Sequence, residues 1–250
     1  MQILKSIKAQ LVIYLSCFAI FLAIKDKSGI FLLTCGLAAF SALCFESAIL
    51  YFKTRIFRLT ASSIITGLII GYVLDSDQEW WKFLIACALA ILSKYVIRFH
   101  KKHIFNPAAF GIFLTLIFFG ASTQWRGTYI WYILLPAGIY FARKTGKLRI
   151  VASYFLVSLI LFGIQAIFQK IPLWHILGYL SYFYIFVMVI EPKTSASKPL
   201  AQIFFGAGIA VLIFILTECG VNFDVELFSL LILNGAVLIF DKLTLKKVAV

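Results

Sequence analysis

Charge is scarce in this chain. Only 13% of its 250 residues are Asp, Glu, Lys or Arg, against about 25% in a soluble domain. Acids are the scarcer sign, with 10 Asp and Glu beside 23 Lys and Arg. The five cysteines, Cys17, Cys35, Cys44, Cys87 and Cys219, stand singly. No C-x-x-C pair indicates a disulfide frame or a metal cage, and small apolar packing suits them better. The three histidines are His100, His103 and His175. By the topology below, the first two face the cytoplasm and the third lies near the outer face, which excludes a pair of axial ligands for one haem. No cleavable signal is expected either, because the first apolar run meets Lys25-Asp26-Lys27 without a small-residue cleavage site.

Hydrocarbon is abundant. The chain is 63% hydrophobic, with 26 Phe and a mean hydropathy of +1.02. No soluble core of this length hides so much apolar side chain, so lipid must take the place of water. Runs bounded by charge, Pro or Gly predict ten spans, at 7–24, 30–52, 57–74, 80–97, 104–121, 128–142, 150–168, 172–190, 200–217 and 226–240. The expected fold is an all-α polytopic membrane protein forming a single integral membrane domain over 1–250. Pro136 is expected to kink or tilt the short sixth span.

The charges support this count. With the N-terminus inside, most basic residues fall in cytoplasmic segments, among them Lys53, Arg55, Arg58, Arg143, Lys144 and Lys147. Lys25, Lys27, Lys82, Arg126 and Lys170 fall outside, as do Asp26, Asp75, Asp77, Glu79, Glu218, Asp224 and Glu226. Lys/Arg asymmetry sets orientation, so both termini are placed in the cytoplasm of a cell whose inner membrane holds the chain. The net charge of +13 then needs no nucleic acid.

Two proline-marked elbows share the cytoplasmic side. In "KKHIFNPAAFGIF", residues 101–113, Asn106 can cap a helix and Pro107 suits its first position. Ile104 and Phe105 precede the cap, so the break dips into the membrane, where irregular backbone must be covered by protein or line a site. In "EPKTSASKPL", residues 191–200, Pro192 ends one helix and Pro199 begins the next. A capped interfacial turn and an anion-binding helix start are both open for these elbows.

Glu46 is the acid deep inside a span, and Lys94 sits at comparable depth in another. They predict either an ion pair or a proton or Na⁺ path. His100, Lys101, Lys102 and His103 form a basic rim for phosphate, an acidic ferredoxin-like partner or anionic lipid. In span eight, Trp174 suits an aromatic belt. Tyr179, Tyr182 and Tyr184 could stack a flavin or quinone ring, or simply pack. "FNPAAFG" in span five echoes "LNGAVLI" in span ten. The spacing suits a 5+5 inverted repeat with broken helices, bringing Asn106 and Asn234 toward a shared region.

Four stretches in order carry a resemblance: "FNPAAFG" (105–111), "MVIEPKTSA" (188–196), "IFFGAGIAVLIF" (203–214) and "LNGAVLIFD" (233–241). On these the chain resembles the D subunit of Rnf electron-transport complexes and the B subunit of Na⁺-translocating NADH:quinone oxidoreductase. The resemblance implies a subunit of a membrane complex. Such complexes pass electrons from NADH or ferredoxin through flavin and couple that flow to Na⁺ or H⁺ movement. Implied partners are other membrane subunits and a cytoplasmic FAD/iron–sulfur reductase or ferredoxin. Implied cofactor contacts are Asn106, Pro107, Glu191, Thr194, Ser195 and Asn234. The family's S-G-A-T site for covalent FMN is absent; "FFGASTQW" with Thr123 stands nearest. FMN or riboflavin held non-covalently is therefore expected ahead of a covalent flavin. A small-solute transporter or channel is the rival reading, since inverted halves with broken helices build those too.

Overall fold

The structure, a computed structural model, describes residues 6–99 and 102–246. Each of the ten predicted stretches contains helix: α1 (Ile7–Lys25), α2 (Gly29–Thr54), α3 (Ala61–Val73), α4 (Trp80–Val96), α5 (Pro107–Phe119), α6 (Trp131–Thr145), α7 (Leu148–Phe168), α8 (Ile176–Tyr179), α9 (Pro199–Glu218) and α10 (Val225–Lys246). Among the described residues, α1, α2, α7 and α9 are long and apolar enough to cross a membrane; Ala61–Val73, Pro107–Phe119 and Val225–Val237 are shorter apolar helices. Large apolar side chains face outward, including Leu33, Phe118 and Phe168. This is an all-α, multi-pass membrane protein.

Span eight departs from the expected single helix. A 3₁₀ turn over Leu173–His175 leads into α8, the backbone is extended at Leu180, and a π-helix covers Tyr184–Val189. No proline, acid, lysine or arginine stands between Leu173 and Val189 to mark the interruption. Span three starts at Ala61, four residues later than expected, because Thr60 caps it by accepting from Ser63 N–H at 3.2 Å.

The chain packs as two compact units. The first runs to His103 and adds Pro107–Gly127; the second takes Ile104–Asn106 and continues from Thr128. In the first, α3 lies against α2 through Gly67 and Gly71. A Cβ at Gly67 would collide with the Ala38 carbonyl, and one at Gly71 would sit 2.6 Å from the Cys35 Cα. Small residues at this spacing let helices approach closely where hydrophobicity gives no drive to associate. Gly111 seats α5 on Ala86 and Ala90 of α4 in the same way. Tyr72, fully buried, donates to the Leu15 carbonyl of α1 at 2.7 Å. Strands Arg98–Phe99 (β1) and Lys102–His103 (β2) pair antiparallel before α5.

In the second unit, α9 packs on α7 through Gly206, where a Cβ would collide with the Ile150 carbonyl and Ser153 Oγ. α10 packs on α9, and α6 meets the π-helix at Gly138, against the Phe186 ring. Gly146, at φ +68°, turns the chain from α6 into α7 within two residues.

Candidate functional site

The second unit holds a polar centre built on the two proline elbows. Asn106 and Asn234 are 2% and 1% exposed. Asn106 N–H donates to Asn234 Oδ1 at 2.8 Å, and Asn106 Nδ2 donates to the Met188 carbonyl at 3.1 Å. Asn234 Nδ2 donates in turn to the Thr194 carbonyl at 3.2 Å. The two asparagines thereby tie the lead-in to α5 and the middle of α10 to the Glu-Pro elbow. Met188 lies in the π-helix, a rare geometry that is frequent at functional sites.

The elbow is also braced from within and below. Thr194 Oγ1 donates to Glu191 Oε2 at 3.1 Å, and Ser195 Oγ donates to the Glu191 carbonyl at 2.6 Å. Lys147 Nζ donates to the carbonyls of Ser195 at 3.3 Å and Ala196 at 2.6 Å. Lys147 is buried. Gln202 Nε2 donates to the Gly146 carbonyl at 2.9 Å, while Gln202 Oε1 is buried without a hydrogen-bond partner. The predicted residues Asn106, Glu191, Thr194, Ser195 and Asn234 are thus brought together, and Pro107 starts α5 directly after Asn106.

Sequence reasoning missed Lys147 and Gln202. Lys147 read as one more cytoplasmic charge; the Gly146 turn before it is the signal that places its side chain inward. Chemically, the elbow is a polar turn braced by asparagine amides that donate to its own and the neighbouring backbone carbonyls.

Thr123 belongs to the first unit. Its backbone bridges Leu74, and Gln124 N–H donates to the Val73 carbonyl at 2.8 Å, so this segment is fastened to the end of α3. The aromatic residues of span eight also have places. Tyr182 and Tyr184 are buried and Trp174 is exposed, stacked on His175. The side chain of Tyr179 lies outside the described residues, as do His100 and Lys101 of the basic rim. Of that rim, Lys102 is exposed and His103 buried.

A second polar centre sits in the first unit. Glu46 Oε2 accepts from Thr60 Oγ1 at 2.6 Å and lies 3.5 Å from Lys94 Nζ. Glu46 Oε1 accepts from Tyr95 OH at 3.2 Å. Lys94 also donates to the Ser62 carbonyl and Oγ, each at 3.4 Å. Glu46 and Lys94 stand as a buried ion pair between α2 and α4.

The family profile described as NQR2, RnfD, RnfE matches residues 3–129 and again residues 126–249. The chain is also similar to the D subunit of the ion-translocating oxidoreductase complex of Ectopseudomonas mendocina (strain ymp), at 24% identity over 278 residues, covering 84% of this chain and 81% of that protein. The chain belongs to the NQR2, RnfD, RnfE family.

Proposed function

We propose that this family member is a membrane subunit of an ion-translocating oxidoreductase complex. It sits in the inner membrane with both termini cytoplasmic. Electrons pass from NADH or ferredoxin through flavin, coupled to Na⁺ or H⁺ movement. The observation that carries this reading is the family match repeated over both halves of the chain. The Asn106–Asn234–Thr194 lock adds a physical role: it presents the Glu-Pro elbow as a fixed face on which a cytoplasmic FAD/iron–sulfur reductase or ferredoxin docks. Pre-organised surfaces bind more tightly because less ordering is needed on contact.

A flavin on this chain, FMN or riboflavin, is non-covalent in this reading. The S-G-A-T letters are absent, and the Thr123 segment is fastened to α3. Gln202 Oε1, buried without a hydrogen-bond partner, is an acceptor for a ring N–H. Purification through a tag on this chain tests the proposal. Expected are co-purifying membrane subunits and a flavoprotein, with flavin released into the supernatant on acid denaturation. Purification alone, together with solute flux in liposomes lacking any redox partner, would overturn it in favour of a transporter or channel.

A further inference from the structure

A third polar cluster lies in the second unit, where span eight is interrupted. Ser181 follows the extended Leu180, and Glu226 sits in the first turn of α10. The Ser181 hydroxyl lies beside the Glu226 carboxylate. Neither Ser181 Oγ nor Glu226 Oε2 makes a hydrogen bond, although both atoms are closed off from solvent. Ser229 is three residues further along α10, on the same helix face as Glu226. It is fully buried, and its hydroxyl likewise has no hydrogen-bond partner. Among the described residues no Lys, Arg or His pairs with Glu226.

This arrangement is expensive. A buried carboxylate without a counter-charge costs several kcal/mol, and each orphaned hydroxyl costs about 1–3 kcal/mol. A proton neutralises the carboxylate but leaves the two seryl oxygens unanswered. A small cation answers all three, because every inward atom of the set is an oxygen with lone pairs to give. Broken helices at membrane depth are where transporters place such ions, with unwound backbone adding further oxygens.

We propose that Glu226, Ser181 and Ser229 form a Na⁺-binding site at the interruption of span eight, entered from the outer side of the membrane. As a coupling site it rests on the function proposed above; as a binding site it does not. Na⁺ alone is the probe. The purified full chain in nanodiscs is titrated with NaCl, balanced with choline chloride to constant ionic strength, and followed by thermal unfolding and ²²Na⁺ retention.

Wild type is expected to show a saturable rise in Tm that choline does not reproduce. Glu226→Gln should lose it. Ser229→Ala, which leaves the charge in place, should fold normally and bind Na⁺ about tenfold more weakly, equivalent to about 1.4 kcal/mol. An unchanged Na⁺ response in Ser229→Ala and Glu226→Gln overturns the site. So does a wild-type chain whose Tm follows pH but not Na⁺. A complex that still drives redox-linked ion uptake while the chain binds no Na⁺ would sink this site and leave the functional reading standing.

Discussion

Glu46 in the first unit and Glu226 in the second are both acids placed among apolar helices, yet their surroundings are opposite. Glu46 meets an ammonium, a threonine hydroxyl and a tyrosine hydroxyl, and both its oxygens are used. Glu226 has the Ser181 hydroxyl and the like charge of Asp224 for company, and its Oε2 is left unbonded. The first has its counter-charge supplied by the protein, on α4; among the described residues the second has none. Where burial of charge is compensated internally, the group behaves as a strut between helices. Where it is not, the chain carries a standing cost that only an external ligand or a proton removes.

The largest test of this contrast is Lys94→Met. It strands Glu46 and should lower stability by about 3–5 kcal/mol, read from thermal unfolding in detergent, while Glu46→Gln combined with Lys94→Met recovers most of the loss. Next, Asn234→Ala removes an acceptor and a donor from the elbow. The unpaired Asn106 N–H and Thr194 carbonyl should cost about 1–3 kcal/mol, and loss of the co-purifying flavoprotein should accompany it. A smaller effect is expected from Glu226→Gln without Na⁺: within about 1 kcal/mol of wild type, or above it, since a neutral amide is cheaper to bury than an unpaired carboxylate. A large loss there would erase the contrast. Redox-driven ion uptake should survive Glu46→Gln in the complex; abolished uptake would return that residue to an ion path. Smallest of all is Thr123→Ala, expected within about 0.5 kcal/mol and with acid-releasable flavin unchanged.

The helices were legible because apolar runs of membrane length are hard to mistake, and Asn106-Pro107 announced the start of α5 correctly. The Glu46–Lys94 pair was legible as one of two readings, since shared depth on two spans brings opposite charges within reach. Span eight was not. Its extended residue at Leu180 and its π-helix arise from tertiary packing, with the Phe186 ring against Gly138 of α6, and no proline or formal charge reports them. The buried place of Lys147 was not legible, because charge counting puts a residue on a side of the membrane but cannot tell whether its side chain turns outward or tucks under a loop. The same limit holds for Glu226, whose count among the outer acids says nothing of the buried hydroxyls beside it.

Lys147 gives the elbow a mechanical property. Its ammonium grips two successive carbonyls, Ser195 and Ala196, from a corner only two residues long between α6 and α7. Gln202 fastens the same corner from α9. A protein pressing on the Glu-Pro elbow therefore pushes against the roots of three helices at once, and any tilt it imposes is delivered to all of them together.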